Sequence, residues 1–315
     1  MDNRFQILSL DGGGIKGIFS AAVLNAIEDD IGTSITNHFD LIVGTSTGGI
    51  IALALGLGLS PQEIVEFYYG TGDSIFQNRL GLRSIIHWFS HKYPSKSLFE
   101  GVQVPPVFRD KKLGDSKIRL VIPSYNLGED DVYMLKTPHH KRLKRDWKLP
   151  AWKVALATSS APTYFPACRS IDGLRLVDGG IWANNPSMVG LVEAVSLLNV
   201  DLRAIHIFNI GTSNPIVSRP NFLNWGGKIV WANQAVDVIM RAQSLGIHKQ
   251  VLHLLGEEKV LRIDPAVPSG LFDLDKVKMK DQLLAKAAHE SRIHMPSIEA
   301  NFLSHTAAPY SPIYK

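Results

Sequence analysis

The chain has 315 residues, of which 45% are hydrophobic and 20% charged. That balance supports one large domain with a sizeable core and excludes the disordered and fibrous classes. A formal net charge of +4 is too small to point to nucleic acid, so no DNA partner is expected.

The single cysteine, Cys168, excludes an intramolecular disulfide and a cysteine-based metal cluster, and reads as a small buried residue in a reducing compartment. Met1 to Arg4 lead directly into the apolar run Phe5 to Leu10, which is too short for a secretory signal and lacks its cleavage site. A cytoplasmic protein is expected.

Phe5 to Leu10 is the first predicted strand, followed by Asp11-Gly12-Gly13-Gly14-Ile15-Lys16-Gly17 and a predicted helix over Ile18 to Asp29. The next strand, Phe39 to Val43, runs into Gly44-Thr45-Ser46-Thr47-Gly48 and a helix over Ile50 to Leu57. Leu41 to Leu59 carries no charge over 19 residues, about the length of a membrane span. Its centre, however, is three hydroxyls among glycines, which predicts a strand, turn and helix instead.

A helix over Pro61 to Tyr69 precedes Gly70 to Phe99, where Phe76, Trp88, Phe89 and Tyr93 mix with Arg79, Arg83 and Lys92 without a clean period. That segment suits a lid over an apolar substrate and a packed excursion equally. A strand over Ile118 to Ile122 leads to a basic stretch, in which Lys136, Lys141, Arg142, Lys144, Arg145 and Lys148 face only Asp146. Such a cluster suits an anionic membrane surface or a solvated loop.

Further on, the pattern predicts a helix over Ala151 to Ser159, a strand over Leu174 to Val177, a helix over Ser187 to Leu198 and a strand over Ala204 to Ile210. Helices over Ile229 to Leu245 and Lys280 to Ile293 complete it. Short apolar runs alternating with amphipathic segments indicate α/β construction around a largely parallel sheet, whose strand ends at the carboxyl side hold ligands. No repeat or linker divides the chain, so one domain over 1–315 is expected. Its motifs fall within 5–190, and 191–315 completes the fold and is the place for lid or regulatory elements.

Gly44 to Gly48 fits G-x-S-x-G, where a serine occupies a tight turn between strand and helix. Ser46 is the candidate nucleophile, with the helix N-terminus favouring developing negative charge. Gly12, Gly14 and Gly17 also satisfy G-x-G-x-x-G, which makes a dinucleotide-binding loop the rival reading. That rival needs an acidic residue at the end of the second strand, where this sequence has Val43-Gly44-Thr45-Ser46.

The other use for three glycines is a concave nest of N–H groups, so Gly12, Gly13 and Gly14 with Thr47 are candidates for an oxyanion hole. For the base, His206, His248, His253, His289, His294 and His305 all lie downstream of Ser46, but none occupies a convincing strand-end loop. Asp178, at the sharp turn Asp178-Gly179-Gly180, competes as a carboxylate with a raised pKa or as a turn cap.

These residues resemble the patatin-like phospholipases. The resemblance is carried by Asp11 to Gly17, Gly44 to Gly48, Ser159-Ser160-Ala161-Pro162-Thr163-Tyr164-Phe165-Pro166, and Asp178 to Gly180 continuing to Asn184-Asn185-Pro186, in the family's order. It implies a three-layer α/β fold and a Ser46–Asp178 dyad in place of a triad. It also implies an oxyanion hole on the first glycine loop, and hydrolysis of fatty acyl esters without metal or organic cofactor.

A narrower resemblance, through Ser9 to Lys16 and Ile210-Gly211-Thr212, is to bacterial antiphage (CBASS) phospholipase effectors. It implies a cyclic oligonucleotide activator and a phospholipid membrane as target, with the protein peripheral to the membrane when active.

Overall fold

The structure, a computed structural model, describes residues 4–75, 93, 98, 100–101, 106–216, 219, 221–227, 231, 235–268 and 279–314. In chain order the main elements are β1 (Phe5–Leu10), α1 (Gly17–Ile31), β2 (Leu41–Gly44), α2 (Thr47–Leu57) and α3 (Pro61–Ile75). They continue with β3 (Arg119–Asn126), β4 (Asp131–Lys136), α4 (Ala151–Ser159), β5 (Leu176–Asp178), α5 (Ser187–Ser196), β6 (Ile205–Ile210) and β7 (Asn214–Ile216). The last are α6 (Ala235–Leu255), β8 (Val260–Ile263), β9 (Ala266–Pro268) and α7 (Lys280–Ile298).

The main sheet has the order β4-β3-β2-β1-β6-β8, with β5 added beside β3. From β3 to β8 these neighbours pair in parallel, while β4 and β5 run antiparallel to β3. Helices cover both faces, so the central strands alternate between two cores. Leu8, Leu10, Ile42, Phe208 and Ile210 pack with α1 and α2, whereas Ile7, Leu41, Val43, Ile205 and Ile207 pack with Leu191 of α5 and Val251 of α6.

This is why the central strands β1, β2 and β6 read as mainly apolar runs, broken only by Gln6 and Ser9 in β1 and by His206 and Asn209 in β6. The charge-free stretch at Leu41 has the same cause. Every residue of α2 is buried, and side chains such as Ile51 and Leu53 each contribute about 1.5–3 kcal/mol by leaving water. Among the described residues no helix is long and apolar enough to cross a membrane.

Two registers on β3 position the site. β2 pairs with Arg119 to Val121, and β5 pairs with Ser124 to Asn126 on the same edge, running the opposite way. The two strands therefore meet end to end, bringing the Gly44 end of β2 to the Asp178 end of β5.

The basic stretch starts elsewhere, since Lys136 registers with Val121, on the far side of Ser124 from the β5 pairing. Lys136 is also drawn inward, donating to Glu193 Oε2 at 2.5 Å. Cys168 is buried, and burial pushes its thiol up.

Candidate active site

Ser46 is the residue between β2 and α2, and its backbone has φ 55° and ψ −124°. A non-glycine residue in that region costs on the order of 1–3 kcal/mol and persists only where its surroundings hold it. The hold is visible: the Ser46 N–H donates to Thr158 Oγ1 at 2.9 Å, and that hydroxyl donates to Pro123 O at 2.7 Å.

The turn also depends on missing side chains. A Cβ on Gly44 would lie 2.2 Å from Gly48 O, and one on Gly48 would lie 2.2 Å from Leu10 O. The G-x-S-x-G spacing is thus set by contacts of backbone with backbone.

The Ser46 hydroxyl donates to Asp178 Oδ2 at 2.5 Å, while the Gly180 N–H donates to Asp178 Oδ1 at 2.7 Å. The Asp178 N–H in turn donates to Ser160 O at 3.0 Å, which anchors the carboxylate to the end of α4. Burial pushes the Asp178 pKa up to about 6, with the Ser46 and Gly180 hydrogen bonds pulling the other way. At neutral pH the group is an anion that binds a proton more readily than an ordinary carboxylate, as a general base requires.

The glycine loop lies across the same opening. Two of its carbonyls are tied by side chains: Thr212 Oγ1 donates to Gly12 O at 3.1 Å and Thr47 Oγ1 to Gly14 O at 2.7 Å. Gly13 and Gly14 then line the cavity that holds Ser46 and Asp178. Gly12 differs from the expectation, because its N–H donates to Asn184 O at 3.0 Å and anchors the loop. The candidate hole is accordingly reduced to Gly13, Gly14 and Thr47.

A Cβ on Gly13 would fall 2.2 Å from Thr212 Oγ1 and one on Gly17 1.8 Å from Thr47 Cγ2, so side chains of this chain pack closely against the loop.

The cavity has a volume of about 200 Å³, and Ile15, Ile50, Leu98, Phe165, Ile181 and Met240 give it an apolar wall suited to a hydrocarbon chain. No histidine is among its described lining residues. His206 sits in β6, with its ring edge-on to Phe302 at 6.4 Å. A more open groove of about 1010 Å³, between Gly32, Lys117 and Tyr310, contains neither Ser46 nor Asp178.

Of the proposed lid, 76–92, 94–97 and 99 lie outside the described residues. Gly70 to Ile75 continue α3, and the Tyr93 N–H donates to Tyr164 O at 2.8 Å.

A model of the patatin-like phospholipase family matches residues 8–190. The chain belongs to this family. Among relatives, a cGAMP-activated phospholipase of Pseudomonas aeruginosa is 33% identical over 283 residues, covering 87% of this chain and 84% of the relative. One of Escherichia coli is 32% identical over 297 residues, covering 84% and 81%.

Among solved structures, VipD from Legionella pneumophila superposes with a TM-score of 0.52 at 14% identity, covering 95% of this chain and 67% of that one. This is a likeness of fold. Membership in the patatin-like phospholipases makes the chain a lipid acyl hydrolase.

Several site residues carry no local signal in the sequence. Thr158 precedes the Ser159 to Pro166 motif and looks like an ordinary helix residue until α4 is packed under the Ser46 turn. Asn209, Gln243, Ser244 and Arg262 reach the glycine loop or the Asn184 segment from beyond the family match.

Proposed function

We propose that the chain is a phospholipase A-type hydrolase that cleaves fatty acyl esters of membrane phospholipids through a Ser46–Asp178 dyad. The observation that carries this reading is the 2.5 Å hydrogen bond from Ser46 Oγ to Asp178 Oδ2 beneath an apolar cavity.

Asp178 takes the hydroxyl proton as Ser46 Oγ attacks the acyl carbonyl carbon. The oxyanion is met by the N–H groups of Gly13, Gly14 and Thr47, each worth about 2.7–4 kcal/mol if properly aimed. Collapse breaks the ester C–O bond, and Asp178 returns its proton to the departing lysophospholipid oxygen. Water then gives a proton to Asp178 and attacks the acyl-enzyme, which releases fatty acid and restores Ser46.

We further propose that a cyclic oligonucleotide switches this activity on, in an antiviral setting, with the protein peripheral to the membrane when active. The support is that relatives 32–35% identical to this chain are cGAMP-activated phospholipases.

The test is mass spectrometry of the products from mixed phospholipid vesicles, with and without cGAMP, for the wild type and for Ser46→Ala and Asp178→Asn. Fatty acid and lysophospholipid should appear with the wild type and rise with cGAMP, and both variants should lose nearly all of the rate. Wild-type rates in both folded variants would overturn the dyad. Equal rates across a panel of cyclic nucleotides would overturn the switch.

A further inference from the structure

Asp11, the first residue of the glycine loop, is held by an ion pair from the opposite end of the chain. Its side chain is 3% exposed and that of Arg262 8%. Arg262, in β8, registers with Asn209 of β6, which registers with Ser9 of β1, so one row crosses three strands to the base of the loop.

Arg262 Nη2 donates to Asp11 Oδ2 at 2.8 Å, to Asp264 Oδ2 at 2.8 Å and to Ser244 Oγ at 3.2 Å, and Nη1 donates to Asn209 Oδ1. Asn209 Nδ2 donates to Asp11 Oδ1 at 2.8 Å, so both carboxylate oxygens are fixed. The Asp11 N–H donates to Ile210 O at 3.0 Å, which fixes the backbone as well.

A second tie closes the frame. Gln243 Oε1 accepts the N–H groups of Asn184 at 3.1 Å and Asn185 at 3.4 Å, and Asn184 O is the acceptor for the Gly12 N–H. The glycine loop and the segment after Asp178 thus hang on α6 and β8.

Stability alone does not explain such a cluster, because buried ion pairs are often no better than apolar residues of equal volume. A planar guanidinium instead offers donors in a rigid fork, which sets the direction of what it holds.

We propose that Arg262 is a positioning residue for acyl transfer, which aims the Gly13 and Gly14 N–H groups at the oxyanion by fixing Asp11. The proposal rests on the reading of the site given above. Burial raises the Asp11 pKa and Arg262 opposes that rise, so loss of Arg262 leaves a carboxyl that protonates more readily and releases the loop.

The experiment uses the full chain and its Arg262→Met, Arg262→Lys, Arg262→Gly, Gln243→Leu and Glu193→Gln variants. It measures kcat and KM on a soluble fatty acyl ester with cGAMP in every arm, the rate of fluorophosphonate labelling of Ser46, and the thermal midpoint. Hole donors act in the transition state and little in the ground state. Arg262→Met should therefore lower kcat and labelling by about 10- to 100-fold with KM within about twofold.

Arg262→Lys should fall in between, since it keeps the charge without the fork. Millimolar guanidinium should restore part of the Arg262→Gly rate. Glu193→Gln, whose partners are Lys136 and His139 and no member of the frame, should lower the midpoint and leave kcat unchanged.

A folded Arg262→Met protein with wild-type kcat would overturn the proposal, as would a loss no greater than that of Glu193→Gln at equal midpoint. If Arg262→Met does not fold, Gln243→Leu decides: a kcat loss at constant KM supports the frame, and an unchanged kcat overturns it. A wild type that neither cleaves ester nor labels at Ser46 would instead sink the hydrolase reading itself.

Discussion

Thr158 Oγ1 sits 2.9 Å from the Ser46 nitrogen and accepts its N–H, while its own proton goes to Pro123 O. One hydroxyl thereby braces a backbone at positive φ and donates to a carbonyl lying where β2 and β5 both end. Thr158→Val keeps the shape and removes both bonds. It should cost about 1–3 kcal/mol in urea unfolding, from two unmet buried groups, and lower kcat about tenfold as the Ser46 turn loosens. Thr158→Ser should retain most of both.

The pH dependence follows from Asp178. Its pKa is pushed up to about 6, and a base works only when deprotonated, so kcat/KM should rise through about pH 6 and level off above it. The stability effect has the opposite sense. The folded value lies above the unfolded one of roughly 3.9, so the folded state binds this proton more tightly and loses stability as pH climbs from about 4 to about 6. Asp178→Asn removes that penalty. It should abolish turnover yet stabilise the protein at pH 7 by on the order of 2 kcal/mol, with the gain vanishing near pH 4.

Gly48 tests how far the elbow is a matter of space. An added Cβ would meet Leu10 O at 2.2 Å, and Leu10 is itself fully buried at the end of β1. Neither backbone can retreat without disturbing the sheet, so Gly48→Ala should cost about 3 kcal/mol or more and eliminate Ser46 labelling. Wild-type labelling in that variant would contradict the contact.

Much of this was legible in the sequence because strands buried on both faces write mainly apolar runs. Phe5–Leu10 is a strand with the predicted limits, and Ala151–Ser159 a helix with the predicted limits. The strand Asp131–Lys136 has no counterpart among the predicted strands, because its apolar part is only the four residues Val132 to Leu135 and its first residues are exposed at the sheet edge. Neither has Val260–Ile263, whose half-buried pattern resembles no run.

α6 was placed over Ile229 to Leu245, but it extends to Leu255, because Val251 and Leu255 pack in the second core. At the site, short motifs announced Ser46, Asp178 and the glycine loop. Thr158 reaches Ser46 across 112 residues, Gln243 reaches Asn185 across 58 and Arg262 reaches Asp11 across 251, and a single sequence has no term for that distance.

Glu193 accepts from Lys136 at 2.5 Å and from His139 Nε2 at 2.9 Å, while His139 Nδ1 faces the Thr137 hydroxyl at 2.8 Å. Burial holds the His139 imidazole neutral by pushing its pKa down. Burial alone would raise the Glu193 pKa, but its bonds to His139 and Lys136 outweigh that and hold it below the usual range.

A depressed carboxyl contributes stability above its unfolded pKa and loses it as pH falls through the folded one. Glu193→Gln should therefore cost about 2–3 kcal/mol at pH 7, with the gap to wild type narrowing once the pH falls below the ordinary glutamate value of roughly 4.3 and Glu193 takes up its own proton. Urea unfolding of both proteins between pH 3 and pH 7 reads this directly. A gap of constant width would assign the loss to packing, because the charges of Glu193 and of the His139 beside it are what make it pH-dependent.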